Sequence, residues 1–222
     1  LRKWLTKIVV KQASAVTTIS NDLKKAMISH KLLNRNYHII PNVVDTELFN
    51  FTAKPIKPKK TILHVYCFED SSKNISGMLK VLKALSEKRQ DFICRMVGDG
   101  IDKIKLENYA RDLGILDKFV VFEGLKENKE LADIYSASDF LLMFSNYENI
   151  PVVINEAFSC GIPVISSDVG GISEIVTEDK GILVKPQDES ALENSIDYML
   201  DNLSQYNYCI LRQYAIEHLS NE

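Results

Sequence analysis

With 222 residues, 45% of them hydrophobic and 26% charged, the chain has the composition of an ordinary folded protein and not of a disordered one. That length suits one substantial α/β domain, or a domain carrying a fragment of another. A formal net charge of −3 excludes bulk affinity for nucleic acid.

The opening LRKWLTKIVVK mixes basic and apolar residues and predicts a helix that packs on a domain, with contact to a membrane surface as the alternative. It begins at Leu1 without an initiator Met, as a piece of a longer protein would. Ala15–Ile19 reads as a strand, and Ser20 or Asn21 then caps a helix starting DLKKAMI. His38–Ile40 is a second strand, stopped by Pro41–Asn42. The Pro- and Lys-rich KPIKPKK at 54–60 has no apolar pattern and reads as an exposed linker. The expected organisation is therefore a flank at 1–40 and a linker at 41–60. A nucleotide-binding domain at 61–205 and a C-terminal helix at 206–222 follow.

Beyond the linker the rhythm is regular. Strand Thr61–Tyr66 precedes helix Ile75–Glu87, strand Phe92–Val97 precedes helix Ile101–Leu113, and strand Phe119–Phe122 precedes helix Asn128–Ala137. Strand Phe140–Met143 precedes helix Pro151–Cys160, and strand Val164–Ser166 precedes a short helix, Ile172–Val176. Strand Ile182–Val184 precedes helix Ser190–Leu200, and a last helix covers Tyr208–Leu219. Apolar strands joined by helices predict an α/β fold, a Rossmann-like parallel sheet with helices on both faces. Ligands in such sheets bind beyond the carboxyl ends of the strands. Function is thus expected in the loops 67–74, 98–100, 123–126, 144–150 and 167–171.

Cysteines 67, 94, 160 and 209 form no CxxC pair and no Cys/His cluster with zinc spacing, so no metal is expected and all four read as reduced thiols. Neither a signal-peptide pattern nor a bilayer-length apolar stretch is present, and the expected compartment is the cytoplasm.

The segment SNYENIPVVINEAFSCGIPVISSDVGGISEIV, residues 145–176, holds the most chemistry. Glu148 lies in the loop after a strand, and Pro151 suits the first turn of a helix, where a missing N–H costs nothing. The free amides of Val152 and Val153 then make an anion site. Glu156 lies ~7 Å further along that helix at ~1.5 Å per residue. A carboxylate accepts from vicinal hydroxyls, so this layout suits a polyol, a diphosphate and a second polyol in line. Alone, Glu148 also reads as a carboxylate capping the helix dipole, and for Glu156 alone the reading as a solvated surface residue wins. Their pairing across a Pro-started helix favours a ligand.

This segment resembles the E-x7-E motif of retaining glycosyltransferases of the family 4 group, built from two Rossmann-like domains in the GT-B fold. Further pieces follow in the family's order: IIPNVVDTELF (39–49), VGDG (97–100), FEG (122–124), YSASDF (135–140), CGIPVISSDVGG (160–171) and GILVKP (181–186). The resemblance implies the C-terminal, donor-binding half of such an enzyme, with the acceptor-binding half absent. It implies that Glu148 contacts the donor sugar, that Glu156 holds the ribose, and that Lys73 holds the diphosphate. Asn149, Ile150 and Pro151 continue the motif, Gly98 forms a turn by the donor, and Leu125 with Lys126 lies at the nucleotide base. Implied partners are a nucleoside diphosphate sugar, UDP in preference to GDP, and a glycan or lipid-linked acceptor bound through the absent half. Peripheral contact at the inner face of the membrane belongs to the full-length protein. No cofactor and no metal are implied, and the fragment alone is expected to be inactive.

Two positions depart from the family. Tyr66–Cys67 stands where Gly-Arg is usual, removing a second diphosphate cation, and Asn149 stands for Gly. A nucleotide-sugar epimerase and a non-catalytic binding module are the competing readings.

Overall fold

The computed structural model describes residues 2–52 and 57–220. Helix α1 (Arg2–Gln12), strand β1 (Val16–Thr18), helix α2 (Asn21–Ser29) and strand β2 (Tyr37–Ile39) form the N-terminal flank, with β1 and β2 in a small parallel sheet. Ser20 caps α2, its Oγ accepting from the Leu23 amide at 3.0 Å, as its type and position predict.

The main sheet has six strands, all paired in parallel: β3 (Lys60–Val65), β4 (Phe92–Val97), β5 (Val120–Gly124), β6 (Phe140–Leu142), β7 (Val164–Ser167) and β8 (Gly181–Val184). Their order is β5-β4-β3-β6-β7-β8. The chain grows outward from β3 to one edge, then returns to β6 and grows to the other. Its switch point therefore lies between β3 and β6, where a doubly wound sheet opens a crevice at the carboxyl ends of its strands.

Helices α3 (Asp70–Lys73), α4 (Ile75–Lys88), α5 (Lys103–Asp112) and α6 (Asn128–Ser136) follow the first strands. Helices α7 (Val152–Ser159), α8 (Glu189–Asn202) and α9 (Tyr208–Leu219) follow the rest. In α4 the residues Ile75, Met78, Leu79, Leu82 and Leu85 recur at helical spacing and are fully buried. They join α5, α8 and one sheet face in a single core, with Ile62, Phe92, Cys94 and Met96 pointing into it. The other face carries Leu63, Val65 and Val97 against α6, α7 and α9. Burying one such side chain contributes about 1.5–3 kcal/mol, so the two cores fix the sheet and hence the loops at its edge.

Residues 41–52 pack onto this domain. Val44 pairs with Ser220, Phe49 is buried, and Arg212 of α9 donates to the carbonyls of Thr46, Phe49 and Ser159. Of the Pro- and Lys-rich stretch expected as a linker, 54–56 lie outside the described residues, and Lys60 already belongs to β3.

Several boundaries differ from those expected. Helix α5 begins at Lys103, because Ile101 and Asp102 form a turn. The helix expected at Ile172–Val176 is a single 3-10 turn, Ile172–Glu174, entered from Gly170 in a left-handed conformation. Pro151 is not the first helical residue. It caps α7 from an extended conformation (φ −77°, ψ 139°), and the helix begins at Val152.

Candidate functional site

The loops after β3 and β6 flank the switch point, and they are tied together. The Asn146 amide donates to the Ser72 carbonyl at 2.9 Å, and its side chain donates to the Ser71 carbonyl at 2.9 Å. Between them lies an ion pair: Lys73 Nζ stands 2.7 Å from Glu148 Oε1, with side chains only 14% and 9% exposed. Lys73 closes α3, a four-residue turn, and Asn74 at φ 48° then redirects the chain into α4. That left-handed joint, tolerable for Asn, aims Lys73 across the crevice instead of along α4.

Tyr66, the first residue past β3, lies beneath the pair. Lys73 Nζ sits 4.0 Å from its ring centroid, in cation–π contact. The Tyr66 hydroxyl is buried and makes no hydrogen bond of good geometry. Burial, and then the charge of Glu148, hold the phenol well above its usual pKa. The His64 ring is 5.9 Å from the Tyr66 ring. Its Nδ1 donates to the Leu142 carbonyl at 2.9 Å, since a carbonyl can only accept. Nε2 is then a buried lone pair without a partner. Burial chiefly lowers the His64 pKa to about 4; the Leu142 hydrogen bond opposes this and Lys73 adds to it. Gly98 closes the far side at φ +143°, where an added Cβ would lie 1.8 Å from the Tyr66 carbonyl oxygen.

On the β6 side, the loop leading into α7 is gripped by Gly170–Gly171. A Cβ on Gly170 would meet the Glu148 carbonyl oxygen at 2.1 Å, and one on Gly171 would meet Ser20 Cβ at 2.7 Å. The Ser20 hydroxyl donates to Asn149 Oδ1 at 3.1 Å, and Asn42 Nδ2 donates to the Ile150 carbonyl at 2.9 Å. Asn149 and Ile150 thus hold the loop to the flank and to residues 41–52. Glu174 completes that clasp. Its Oε1 accepts from the Asp22 amide at 2.6 Å, and its Oε2 from the Asn21 amide at 2.9 Å and Asn21 Nδ2 at 3.0 Å. These bonds hold its carboxyl below the usual range despite some desolvation.

A cleft of about 460 Å³ opens here, lined by Asp22, Leu23, Ala26, Lys73, Tyr147, Glu148 and Asn149. Helix α7 begins beside it with no side chain capping its N-terminus, so the amides of Val152 and Val153 keep their positive end free for an anion. Val152 is exposed, and the Val153 carbonyl accepts from the Tyr135 hydroxyl at 3.3 Å. Further along α7, Glu156 is no solvated surface residue. Its Oε2 is buried without a hydrogen-bond partner. Burial raises its pKa, partly offset by the Tyr135 hydroxyl. Leu125, expected at the nucleotide base, stands 64% exposed just past β5.

The structure therefore joins Lys73, Glu148 and Asn149 in one cleft, packs Gly98 against the Tyr66 backbone, and leaves Leu125 exposed outside the cleft's lining. His64, Tyr66 and Glu174 escape sequence reasoning as site residues. A polar His inside the apolar run TILHVY, and an aromatic where Gly is usual, were the available signals.

The sequence profile described as "Glycosyl transferases group 1" matches residues 45–216. The chain belongs to this family. It is 31% identical over 175 residues to the lipopolysaccharide 1,6-galactosyltransferase of Escherichia coli, covering 77% of this chain and 48% of that protein. It is 28% identical over 190 residues to the N-acetyl-alpha-D-glucosaminyl L-malate synthase of Bacillus anthracis, covering 78% and 49%. The chain spans about half the length of these curated relatives. Among solved structures, the sucrose-phosphate synthase of Thermosynechococcus elongatus superposes with a TM-score of 0.85 at 23% identity, over 99% of this chain and 57% of that one. A protein of Anabaena solved in complex with UDP-glucose gives 0.83 at 20%, over 98% and 63%. At such identities these two speak for the fold alone. That fold is the parallel sheet flanked by helices of the GT-B glycosyltransferases, as the sequence led us to expect.

Proposed function

We propose that this chain is the donor-binding part of a retaining glycosyltransferase that moves a sugar from a nucleoside diphosphate sugar to a hydroxyl acceptor. The observation that carries the reading is the Lys73–Glu148 pair spanning the sheet's switch point, beside the uncapped start of α7. The Lys73 ammonium and the Val152 and Val153 amides face the position of the diphosphate. They stabilise the negative charge that grows on it as the sugar leaves, without a metal ion. Glu148 accepts from hydroxyls of the donor sugar. Glu156 accepts from the ribose hydroxyls, which supply the donors its buried oxygen lacks. A UDP-sugar is the preferred donor, in keeping with the UDP-glucose bound by the Anabaena protein of the same fold.

The acceptor, a glycan or lipid-linked glycan, belongs to the half that this chain does not span. Transfer then needs both halves, closed over the cleft to exclude water. Cys67 favours one second reading, a binding module without turnover, because a thiol supplies no permanent charge to the diphosphate.

Calorimetric titration of the chain with UDP, GDP and ADP, repeated with Glu156→Ala, tests the proposal. Binding of one nucleotide, weakened in the variant, supports it. No binding of any nucleotide at millimolar concentration overturns the donor-site reading for this chain. A full-length protein that binds nucleotide yet turns over no donor favours the binding module.

A further inference from the structure

Lys73 is given two tasks that conflict. Its ammonium neutralises Glu148 at 2.7 Å, yet the diphosphate of a donor needs the same charge. If Lys73 turns to the diphosphate, Glu148 is left as a carboxylate with a 9% exposed side chain and no cation. Stranding a charge in so dry a place opposes binding.

One side chain is placed to resolve this. The Tyr66 hydroxyl is buried and within reach of the Glu148 carboxylate, which it meets without a hydrogen bond of good geometry. Its ring carries the Lys73 ammonium at 4.0 Å. The His64 ring lies beside it at 5.9 Å, and the Tyr66 backbone is packed so closely on Gly98 that no Cβ fits there. We infer that Tyr66 is a positioning residue for the donor site: its ring guides Lys73 between Glu148 and the diphosphate, and its hydroxyl donates to Glu148 once Lys73 has moved. The inference rests on the donor-site reading and gives Tyr66–Cys67 a role in place of the usual Gly-Arg. The chain meets the diphosphate with one cation and uses a phenol to release it.

The test is a double-variant cycle with UDP, which carries the diphosphate without the sugar that Glu148 would hold. Tyr66→Phe keeps the ring and removes the hydroxyl, and thermal melting of each variant checks the fold. UDP affinity is expected to fall about tenfold in Tyr66→Phe, the scale of a lost hydrogen bond to a charged group. Glu148→Gln removes the charge that holds Lys73, so UDP affinity should rise several-fold. In that background Tyr66→Phe should have no further effect. Wild-type affinity in Tyr66→Phe, with wild-type binding intact, overturns the inference and leaves the donor site standing. An equal loss in both backgrounds also overturns it, because Tyr66 would then act by packing and not through Glu148. A wild-type chain that binds no UDP overturns both.

Discussion

Glu148 and Glu156 stand on either side of the start of α7, and the protein treats them in opposite ways. Glu148 is matched from within, by Lys73 against its oxygen and the Tyr66 phenol beside it. Glu156 is half-buried in mid-helix, with one oxygen unpaired and its pKa raised by desolvation. Both are carboxylates suited to hydroxyl groups, but only Glu148 sits where the sheet's switch point brings a cation within reach. Under the proposed donor reading, the end meant for the diphosphate is closed by an internal pair that a ligand would have to exchange. At Glu156 the carboxylate is instead buried with one oxygen unsatisfied.

Removing the cation breaks the comparison most severely. Lys73→Ala takes away the diphosphate's counter-charge and leaves Glu148 to repel it. UDP affinity is expected to fall on the order of 100-fold, the upper range for loss of one charge-assisted contact of ~1.5–3 kcal/mol. Uridine, without phosphate, should bind the variant as it binds the wild type. Equal losses for UDP and uridine would mean that Lys73 holds the fold and not the phosphate.

Glu156→Gln probes the unmatched carboxylate. UDP affinity should drop about tenfold, through weaker acceptance from the ribose hydroxyls, and the preference for UDP over its 2′-deoxy analogue should shrink. The same change should raise thermal stability at neutral pH, because it removes a desolvated charge without altering shape. A variant that loses both affinity and stability would show that Glu156 serves packing alone.

Cys67→Arg should act in the opposite direction and more weakly. Cys67 is exposed at the carboxyl end of β3, so an arginine there adds a permanent cation near the crevice without displacing core. A gain in UDP affinity of about threefold to fivefold is expected, about 0.6–1 kcal/mol for a partly exposed charge. An unchanged affinity would place the diphosphate out of reach of position 67.

The frame around these carboxylates was legible in the sequence, while their wiring was not. Short apolar runs such as Phe92–Val97, bounded by polar turns, announce buried parallel strands, and that pattern leads directly to the doubly wound sheet. Lys73 and Glu148 were legible by their place after two strands, because the fold sends such loops to one edge. Helix α3 was not, since four polar-rich residues, DSSK, show no helical period. Neither was the Glu174 clasp, whose partners Asn21 and Asp22 lie more than 150 positions away with no local pattern to join them. The burial of Glu156 depends on Tyr135 from another helix, and without that neighbour an isolated mid-helix Glu reads as solvated.

The smallest effect separates His64 from Glu156 through pH. The His64 pKa is lowered in the fold from 6.5 to about 4, so the unfolded chain takes up this proton first. Its contribution to stability is complete above pH 6.5 and is lost as pH falls toward 4, at most about 1.4 kcal/mol per pH unit. Glu156 has the opposite sign. Its folded pKa lies above 4.5, so the folded chain binds that proton first and gains stability as pH falls through this range. In the wild type the two trends oppose each other above pH 4.5, where the Glu156 carboxyl takes up its proton in the fold. His64→Asn keeps a donor toward the Leu142 carbonyl and removes the losing trend, so its melting temperature should fall less on acidification. Glu156→Gln removes the gaining trend, so its melting temperature should fall more steeply, by about 2–4 °C per kcal/mol for a chain of this size. Parallel melting curves for all three proteins between pH 7.5 and 4.5 would mean that neither group is as dry as its surroundings make it. The contrast between a matched and an unmatched carboxylate would then lose its electrostatic basis.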